Sequence, residues 1–257
     1  MKKIILTLVI LILLTGIFYF FSGRKYSAPT ENKKNLENNN PAIEESSLPV
    51  ANENHQAVPD KIDNLEPKIP AKILMDVPFT SQAPYAKWDV YHEEACEEAS
   101  LIMVKYFLDK KKLTPQIAED EIQKMIKFEI KNYGDYQDSN AQQIEKLAKD
   151  FYGIDNLKVI YDFSQENIKK YLAQGRPIIV PAAGRLLGNP NYTPPGPLYH
   201  NLVLIGYDGN TIITNDAGTK KGAGYEYKLE NLYNAIHDFP GRPEDILKGR
   251  KAMLVLE

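Results

Sequence analysis

The chain has 257 residues and a formal net charge of −3, from 31 basic and 34 acidic residues. This length suffices for one or two domains with a sizeable core. The near balance of charge gives no electrostatic footprint for nucleic acid, so a nucleic-acid partner is not expected. A single cysteine excludes an internal disulfide and any thiolate-rich metal site, since both require a second sulfur.

The N-terminal segment, residues 1–22, is predicted to be a membrane anchor. After Lys2 and Lys3, residues 4–21 contain no charged side chain, and as a helix they would be about 27 Å long, close to the bilayer hydrocarbon thickness. A cleaved signal peptide is the alternative, because the two lysines also suit its basic start. Either reading predicts export of the rest of the chain, as a single-pass protein of the cell membrane or as a secreted one.

Residues 23–71 are predicted to be a disordered linker. They are rich in Asn, Glu, Lys and Pro and show no apolar periodicity, so they cannot bury enough surface to offset the entropy of ordering. His55 lies in this stretch and is interpreted as a solvated loop residue. The expected role of the linker is to hold the following domain away from the membrane.

Residues 72–257 are predicted to form one globular domain of the α+β class. Capping signals and helical periodicity predict helices at 96–108, 114–131, 139–153, 164–174 and 229–236. The capping signals include Thr114 followed by Pro115, and a capping box from Ser139 to Gln142. Apolar runs between turn residues predict strands at 73–79, 157–161, 177–183, 199–207, 211–216, 224–228 and 251–256. Helices first and mostly sequential strands later indicate an antiparallel sheet.

Two residues in this domain are candidates for nucleophilic catalysis. Cys96 begins the first predicted helix, and a helix N-terminus favours the thiolate. A lone cysteine is more commonly a small buried hydrophobe, which is the alternative here. His200 begins a predicted strand after a Pro- and Gly-rich loop, and it would act as the base. Such a histidine needs an orienting partner, usually a carboxylate or an amide.

Asp216 could be that partner across a hairpin. If residues 208–210 form a three-residue loop, Leu202 pairs with Asp216, and His200 lies diagonally beside Asp216 on the same face. A two-residue loop would reverse this parity, so the prediction depends on the register. The alternative is an ordinary turn carboxylate before Ala217 and Gly218.

Gln82 lies in the loop that precedes the cysteine. Its side-chain amide could complete an oxyanion hole, with the Cys96 backbone N–H as the second donor. His92 is a rival base because it is close in sequence, whereas His237 ends a helix and is expected to be structural. A zinc site from Cys96, His92 and nearby glutamates has no recognised spacing. No metal or cofactor is therefore expected.

Together these segments resemble a known family. The segments are 77–84 (VPFTSQAP), Trp88-Asp89, 96–101 (CEEASL), 199–208 (YHNLVLIGYD) and Asn215-Asp216. They are similar to papain-like cysteine peptidases related to bacteriocin-leader processing enzymes, the C39-like group. The resemblance implies a papain-like fold with Cys96 as nucleophile and His200 as base. It also implies that Asp216 orients the histidine and that Gln82 is the oxyanion donor.

The sequence also departs from that family. Glu97 and Glu98 follow the cysteine, where many relatives carry glycine and often proline. With Glu93 and Glu94 they place four carboxylates near Cys96, which raises the thiol pKa and favours basic substrates. Cleavage of double-glycine leaders is not expected, since the relatives that perform it are fused to transporters.

Three functions are compatible with these residues. The first is an anchored, exported cysteine peptidase that hydrolyses peptide or isopeptide bonds in a peptide, a protein or a cell-wall peptide. The second is a catalytically idle relative that binds peptides or the cell wall. The third is an acyl transferase on the same fold, which uses an amine instead of water.

Overall fold

A computed structural model describes residues 69–257, which all fall in one compact unit. Within this range no helix is both long and apolar enough to cross a membrane. The predicted anchor at residues 1–22 and residues 23–68 of the predicted linker lie outside the described residues.

The described chain forms seven strands and six α-helices. The strands are β1 (Lys72–Leu74), β2 (Leu157–Tyr161), β3 (Ile178–Ala183), β4 (Tyr199–Asp208), β5 (Thr211–Asp216), β6 (Tyr225–Lys228) and β7 (Ala252–Leu256). The helices are α1 (Cys96–Leu108), α2 (Pro115–Asn132), α3 (Ala141–Tyr152), α4 (Gln165–Ala173), α5 (Gly184–Leu187) and α6 (Leu229–Ala235). Two 3₁₀ helices, His92–Glu94 and Pro243–Lys248, complete the set.

All seven strands join one antiparallel sheet in the order β2-β7-β3-β4-β5-β6, with β1 paired to β4. Alternate residues of each strand point to opposite faces. Val203 and Ile205 of β4 pack with α1, α2 and α3, whereas Leu202 and Leu204 pack with α4 and α6. The prediction of an α+β fold with an antiparallel sheet is confirmed, and helices cover both of its faces.

Most helix ends follow the predicted capping signals. The Thr114 side chain accepts from the Ile117 N–H and Pro115 opens α2, as predicted. The predicted strand at 73–79 is shorter, because regular pairing ends at Leu74.

The capping box of α3 lies one residue later than predicted, at Asn140 and Gln143. Ser139 is unavailable as the cap, because its N–H donates to the Glu97 carboxylate and its carbonyl accepts from the Tyr199 hydroxyl.

The β4–β5 hairpin has the predicted strand pairing, but its loop length differs from the prediction and β4 contains a bulge. Asp208 pairs with Thr211, so the loop has two residues instead of the expected three. A bulge between Leu204 and Gly206 then shifts the register by one residue. Leu202 therefore still pairs with Asp216. The predicted pairing is confirmed, whereas the predicted three-residue loop is wrong.

Candidate active site

His200 and Asp216 meet on the α4–α6 face of the sheet. The imidazole Nε2 lies 2.8 Å from Asp216 Oδ1, as the diagonal placement around Leu202 requires. Both side chains are almost completely excluded from solvent. Because the carboxylate accepts a hydrogen bond from Nε2–H, the other ring nitrogen, Nδ1, is the one left free to accept a proton.

Three further side chains hold the Asp216 carboxylate. Tyr192 and Tyr227 donate hydroxyl protons to Oδ2 over 2.7 and 2.6 Å, and Asn189 Nδ2 donates over 3.0 Å. Burial alone would raise the pKa of Asp216, but His200 and the two hydroxyls together lower it to about 2. Asp216 therefore stays ionised in a buried site and can stabilise a protonated imidazole.

The His200 ring is enclosed on two sides. Tyr192 packs edge-on against it with 5.6 Å between ring centroids. Gly218 closes another side and donates its N–H to Asp216 Oδ1 over 3.0 Å. A Cβ at Gly218 would lie 2.9 Å from His200 Cε1, so only glycine allows the ring this position.

Cys96 begins α1, as predicted, but its thiol contacts different partners from those expected. Sγ donates to Glu97 Oε2 over 2.9 Å, and Asn201 Nδ2 approaches Sγ to 3.9 Å. Within residues 69–257 no hydrogen bond joins Cys96 to His200. Burial, and then the adjacent Glu97 carboxylate, raises the pKa of the thiol well above its usual range. The thiol is therefore held in its neutral form.

The sheet explains why Cys96 and His200 do not meet. Asn201 faces the thiol, and side chains alternate along a strand, so His200 points to the other face of β4. The contacts of His200 agree, since its neighbours Tyr192 and Leu202 belong to the apolar cluster of the α4–α6 face. The structure thus brings His200 and Asp216 together, and it leaves Cys96 apart from both.

Gln82 connects the two parts of the site. Its backbone N–H donates to the Ala217 carbonyl over 2.9 Å, next to the turn that encloses His200. Its side-chain Nε2 donates to the His92 and Glu93 carbonyls over 2.8 and 3.1 Å. These bonds fix the 3₁₀ helix that leads into Cys96. Gln82 lies where predicted, but its amide is engaged by this helix.

His92 and His237 have structural contacts. His92 Nδ1 lies 2.8 Å from Asp89 Oδ1, and Nε2 lies 3.0 Å from Glu119 Oε2. Both ring nitrogens are thus occupied, which leaves His92 unable to accept the thiol proton as the sequence-based alternative required. His237 Nδ1 lies 2.9 Å from the Gly249 carbonyl, consistent with its predicted structural role.

Three buried carboxyls lie behind the thiol. Glu97 bonds to Cys96 and to the Ser139 N–H. Glu98 faces Glu129, and burial raises the pKa of both, that of Glu129 to about 8. Glu98 Oε1, Glu98 Oε2 and Glu129 Oε2 have no hydrogen-bond partner in the described chain. One proton shared between the two carboxyls would satisfy one oxygen of each. No group of three or more metal-ligating side chains suited to an ion occurs within residues 69–257.

A cavity of about 640 Å³ opens beside the thiol side of the site. Its walls include Asp135, Asp138, Ser139 and Phe239. Ser139 is also the residue whose N–H holds Glu97. Neither Cys96 nor Glu97 lines the cavity, and Ser139 is the residue that both lines it and contacts Glu97. Besides the two aspartates and Phe239, the walls carry Lys146, so the net charge of the lining is weakly negative.

Several residues of this site carried no sequence signal. Tyr192 and Asn189 come from an irregular loop, and Tyr227 comes from β6, so only the tertiary fold brings them to Asp216. The position of Asn201 could have been predicted from the sequence. Asn201 follows His200 on a strand, so the two side chains point to opposite faces of the sheet.

A family model described as the Peptidase C39-like family matches residues 74–239. The match covers more than half of the chain and includes Gln82, Cys96, His200 and Asp216. It confirms the resemblance that these segments suggested. The search of curated proteins finds no match.

Two solved structures resemble the chain at low identity. A C39-like peptidase from Bacillus anthracis is 17% identical with a TM-score of 0.47, and the alignment covers 72% of this chain and 98% of that one. A fragment of prointerpain A from Prevotella intermedia is 12% identical with a TM-score of 0.45, covering 73% and 72%. Because both TM-scores lie below 0.5, the family match alone carries the assignment.

Proposed function

Since the chain belongs to the Peptidase C39-like family, we propose that it is a cysteine peptidase with Cys96 as nucleophile, His200 as base and Asp216 as the orienting carboxylate. The observation that carries this proposal is the buried His200–Asp216 pair, with 2.8 Å between Nε2 and Oδ1. A preformed pair of this kind presents Nδ1 as a proton acceptor for a thiol.

In the proposed reaction, the Cys96 thiol passes its proton to His200 Nδ1, and the sulfur attacks the carbonyl carbon of a peptide or isopeptide bond. The Cys96 backbone N–H stabilises the resulting oxyanion. The protonated His200 then gives its proton to the leaving amine, and water hydrolyses the thioester. Because His200 and the thiol lie on opposite faces of β4, rotation of the Cys96 side chain is not sufficient. The thiol must leave Glu97, and the start of β4 must rearrange so that His200 Nδ1 reaches the sulfur.

Gln82 is proposed as the second oxyanion donor. Its Nε2 bonds to the His92 and Glu93 carbonyls, so one hydrogen must leave the 3₁₀ helix when substrate binds. The same bonds hold the start of α1 in place. Gln82 thus acts on the oxyanion directly and on the position of Cys96 indirectly.

The proposal includes the site of action. The charge-free run at residues 4–21 supports a single membrane anchor, with the domain outside the cytoplasm and cleavage of this segment as the alternative. Exported substrates would be peptides or proteins, including peptides of the cell wall. The 640 Å³ cavity is lined by two aspartates, Asp135 and Asp138, and one lysine, Lys146, and its net negative charge favours substrates that carry basic side chains.

A second function is supported by one observation. The Cys96 thiol donates to Glu97 and has no bond to His200 within the described residues, as expected for an idle relative that binds peptides without cleaving them. Hydrolysis separates the two functions.

The test uses the full-length protein and a pool of internally quenched fluorescent peptides that contain lysine, arginine or acidic residues. The peptidase proposal predicts cleavage by the wild type and none by Cys96→Ala. Binding of the peptides without cleavage would favour the idle module. Addition of glycine amide distinguishes transfer from hydrolysis, because a transferase would form the amide-linked product.

A further inference from the structure

The Glu97 side chain is held by both of its carboxylate oxygens. Oε2 accepts a hydrogen bond from the Cys96 thiol over 2.9 Å, and Oε1 accepts one from the Ser139 N–H over 2.9 Å. Only 3% of Glu97 and 6% of Cys96 is exposed. The carboxylate is therefore fixed against the sulfur from both ends, and its contact with the thiol is built into the fold.

The charged groups that surround Glu97 are all acidic. The titratable groups that face it are Cys96 and Glu98 on α1, Glu129 on α2, Asp138 before α3 and Tyr199 on β4. No lysine, arginine or histidine bonds to Glu97 within residues 69–257. Burial and then Glu98 raise the pKa of Glu97 well above its usual range, so its charge is uncompensated whenever it ionises.

A thiolate at Cys96 would have little to stabilise it in this arrangement. Its donors are the backbone at Asn201, which lowers the pKa of the thiol, and Asn201 Nδ2 at the long distance of 3.9 Å; burial and the Glu97 carboxylate outweigh them. A carboxylate that accepts the S–H bond favours the neutral thiol, and its charge opposes a second negative charge beside it. Both effects act against the Cys–His ion pair that the proposed reaction requires.

We propose that Glu97 controls the candidate nucleophile by holding Cys96 as a neutral thiol through the 2.9 Å contact, and that this contact must be lost before the sulfur can react with His200 and substrate. This inference deepens the proposed peptidase function, on which its second half rests. Glu97 touches the reacting atom, so it belongs to the site itself and acts on the protonation of Cys96.

The contact also connects the thiol to the cavity. Ser139 holds Glu97 on one side and lines the cavity on the other. A basic substrate group that enters there would lie one residue from Glu97 and would offset its charge. The resting thiol would then be released where such a substrate is bound.

The experiment measures alkylation of the full-length protein by iodoacetamide as a function of pH, followed by intact mass. Cys96 is the only cysteine, so every adduct reports on it. The midpoint of the pH profile reports thiol ionisation and is independent of how slowly the reagent reaches a buried site. The variant is Glu97→Gln, whose amide oxygen can still accept from Ser139 while the charge is removed. The control is Glu98→Gln, which removes a buried charge one residue away without touching the thiol.

The proposal predicts a wild-type midpoint above that of a free thiol, near 8.5. It predicts that Glu97→Gln lowers this midpoint by about one pH unit, or about tenfold in rate at pH 7, and that Glu98→Gln lowers it less. A wild-type midpoint at or below that of free cysteine overturns the proposal without any variant. Equal midpoints in wild type and Glu97→Gln overturn it as well.

Hydrolysis of the quenched peptides is measured on the same samples. Faster alkylation of Glu97→Gln without cleavage by any sample supports control of the thiol by Glu97 and contradicts the peptidase function. Cleavage by the wild type with an unchanged alkylation midpoint in Glu97→Gln supports the peptidase and contradicts the role of Glu97.

Discussion

His200 Nε2 lies 2.8 Å from Asp216 Oδ1 inside the protein, and neither side chain exposes more than 2% of its surface. The pair is held by the β4–β5 register and by three donors from two other segments of the chain, the loop with Asn189 and Tyr192 and strand β6 with Tyr227. A buried ion-pairing site of this kind is costly to desolvate unless its geometry is fixed and its lone pairs are satisfied. Here the Asp216 oxygens are fully hydrogen-bonded, which indicates a site that orients the imidazole.

The first prediction concerns the Asp216 carboxylate. In Asp216→Asn, an amide NH2 group replaces one carboxylate oxygen. This group cannot accept a hydrogen bond, so it leaves a donor without an acceptor, either His200 or the hydroxyls of Tyr192 and Tyr227. We expect a loss of about 3 kcal/mol in the free energy of unfolding, as for a buried pair deprived of one partner. Urea unfolding at pH 7 measures it.

The control for this variant is Asp208→Asn. Asp208 pairs with Lys72 at the surface, where an ion pair contributes about 0–1 kcal/mol. An Asp216→Asn protein as stable as Asp208→Asn would show that the network around Asp216 does not contribute to stability.

Acid should also weaken this network. The pKa of Asp216 is lowered to about 2 in the folded protein from an ordinary 3.8. Its contribution to stability is therefore complete above about pH 4 and is lost as the pH falls toward 2. Asp216→Asn should lose less stability than the wild type over this range, and an equal loss would contradict the assignment.

The second prediction concerns the buried carboxyls of α1 and α2. Burial raises the pKa of Glu129 to about 8 from an ordinary 4.5, so the folded state binds this proton more tightly than the unfolded chain. The corresponding stability is present below about pH 4.5 and is lost as the pH rises through about 8. Glu129→Gln should therefore be more stable than the wild type at pH 9, by the order of 2 kcal/mol.

Thermal unfolding between pH 6 and pH 9 measures this effect. Glu166→Gln is the control, since Glu166 is exposed on α4 and should leave the pH dependence unchanged. A Glu129→Gln protein that loses as much stability as the wild type at high pH would contradict the prediction.

The third prediction separates two roles of Gln82. Gln82→Glu places a carboxylate against the His92 and Glu93 carbonyls that now accept from Nε2, whereas Gln82→Ala only removes the donor. We expect a lower melting temperature for the glutamate variant than for the alanine variant. The alanine variant should reduce peptide hydrolysis about 10²-fold with alkylation of Cys96 nearly unchanged. Undiminished hydrolysis in Gln82→Ala would remove Gln82 from the oxyanion site.

The fourth prediction uses the turn that encloses His200. In Gly218→Ala the new Cβ would lie 2.9 Å from His200 Cε1 and 3.0 Å from Tyr192 Cε1, so the imidazole must shift. We expect hydrolysis to fall by about 10²-fold, as for a catalytic group misplaced by about 1 Å. The alkylation rate of Cys96 should stay near that of the wild type, because the thiol does not bond to this ring. Normal hydrolysis would show that the position of His200 is not critical.

Local sequence signals predicted most of the fold. The caps at Thr114 and Ser164 and the glycine after α3 act within one helical turn, so they can be read from neighbouring residues. The bulge near Ile205 could not be read in this way, since it depends on the pairing of β4 with three other strands. The pairing of Leu202 with Asp216 was correct because the bulge compensates for the shorter loop.

The sequence predicted which residues form the candidate site, but it predicted fewer of the contacts between them. Order and spacing indicated Cys96, His200, Asp216 and Gln82, and the structure joins His200 to Asp216. The Cys96–Glu97 contact could not be predicted, because it requires the Ser139 N–H from a segment about forty residues away to fix the carboxylate. The face on which each β4 side chain lies likewise depends on the bulge.

The most direct test of the account uses the single cysteine of the chain. Full-length protein is alkylated with iodoacetamide to different extents, and the labelled fraction from intact mass is compared with residual hydrolysis of quenched peptides. The account predicts that activity falls in proportion to labelling at Cys96 and vanishes when labelling is complete. Peptide hydrolysis that persists in fully labelled protein would contradict Cys96 as the nucleophile.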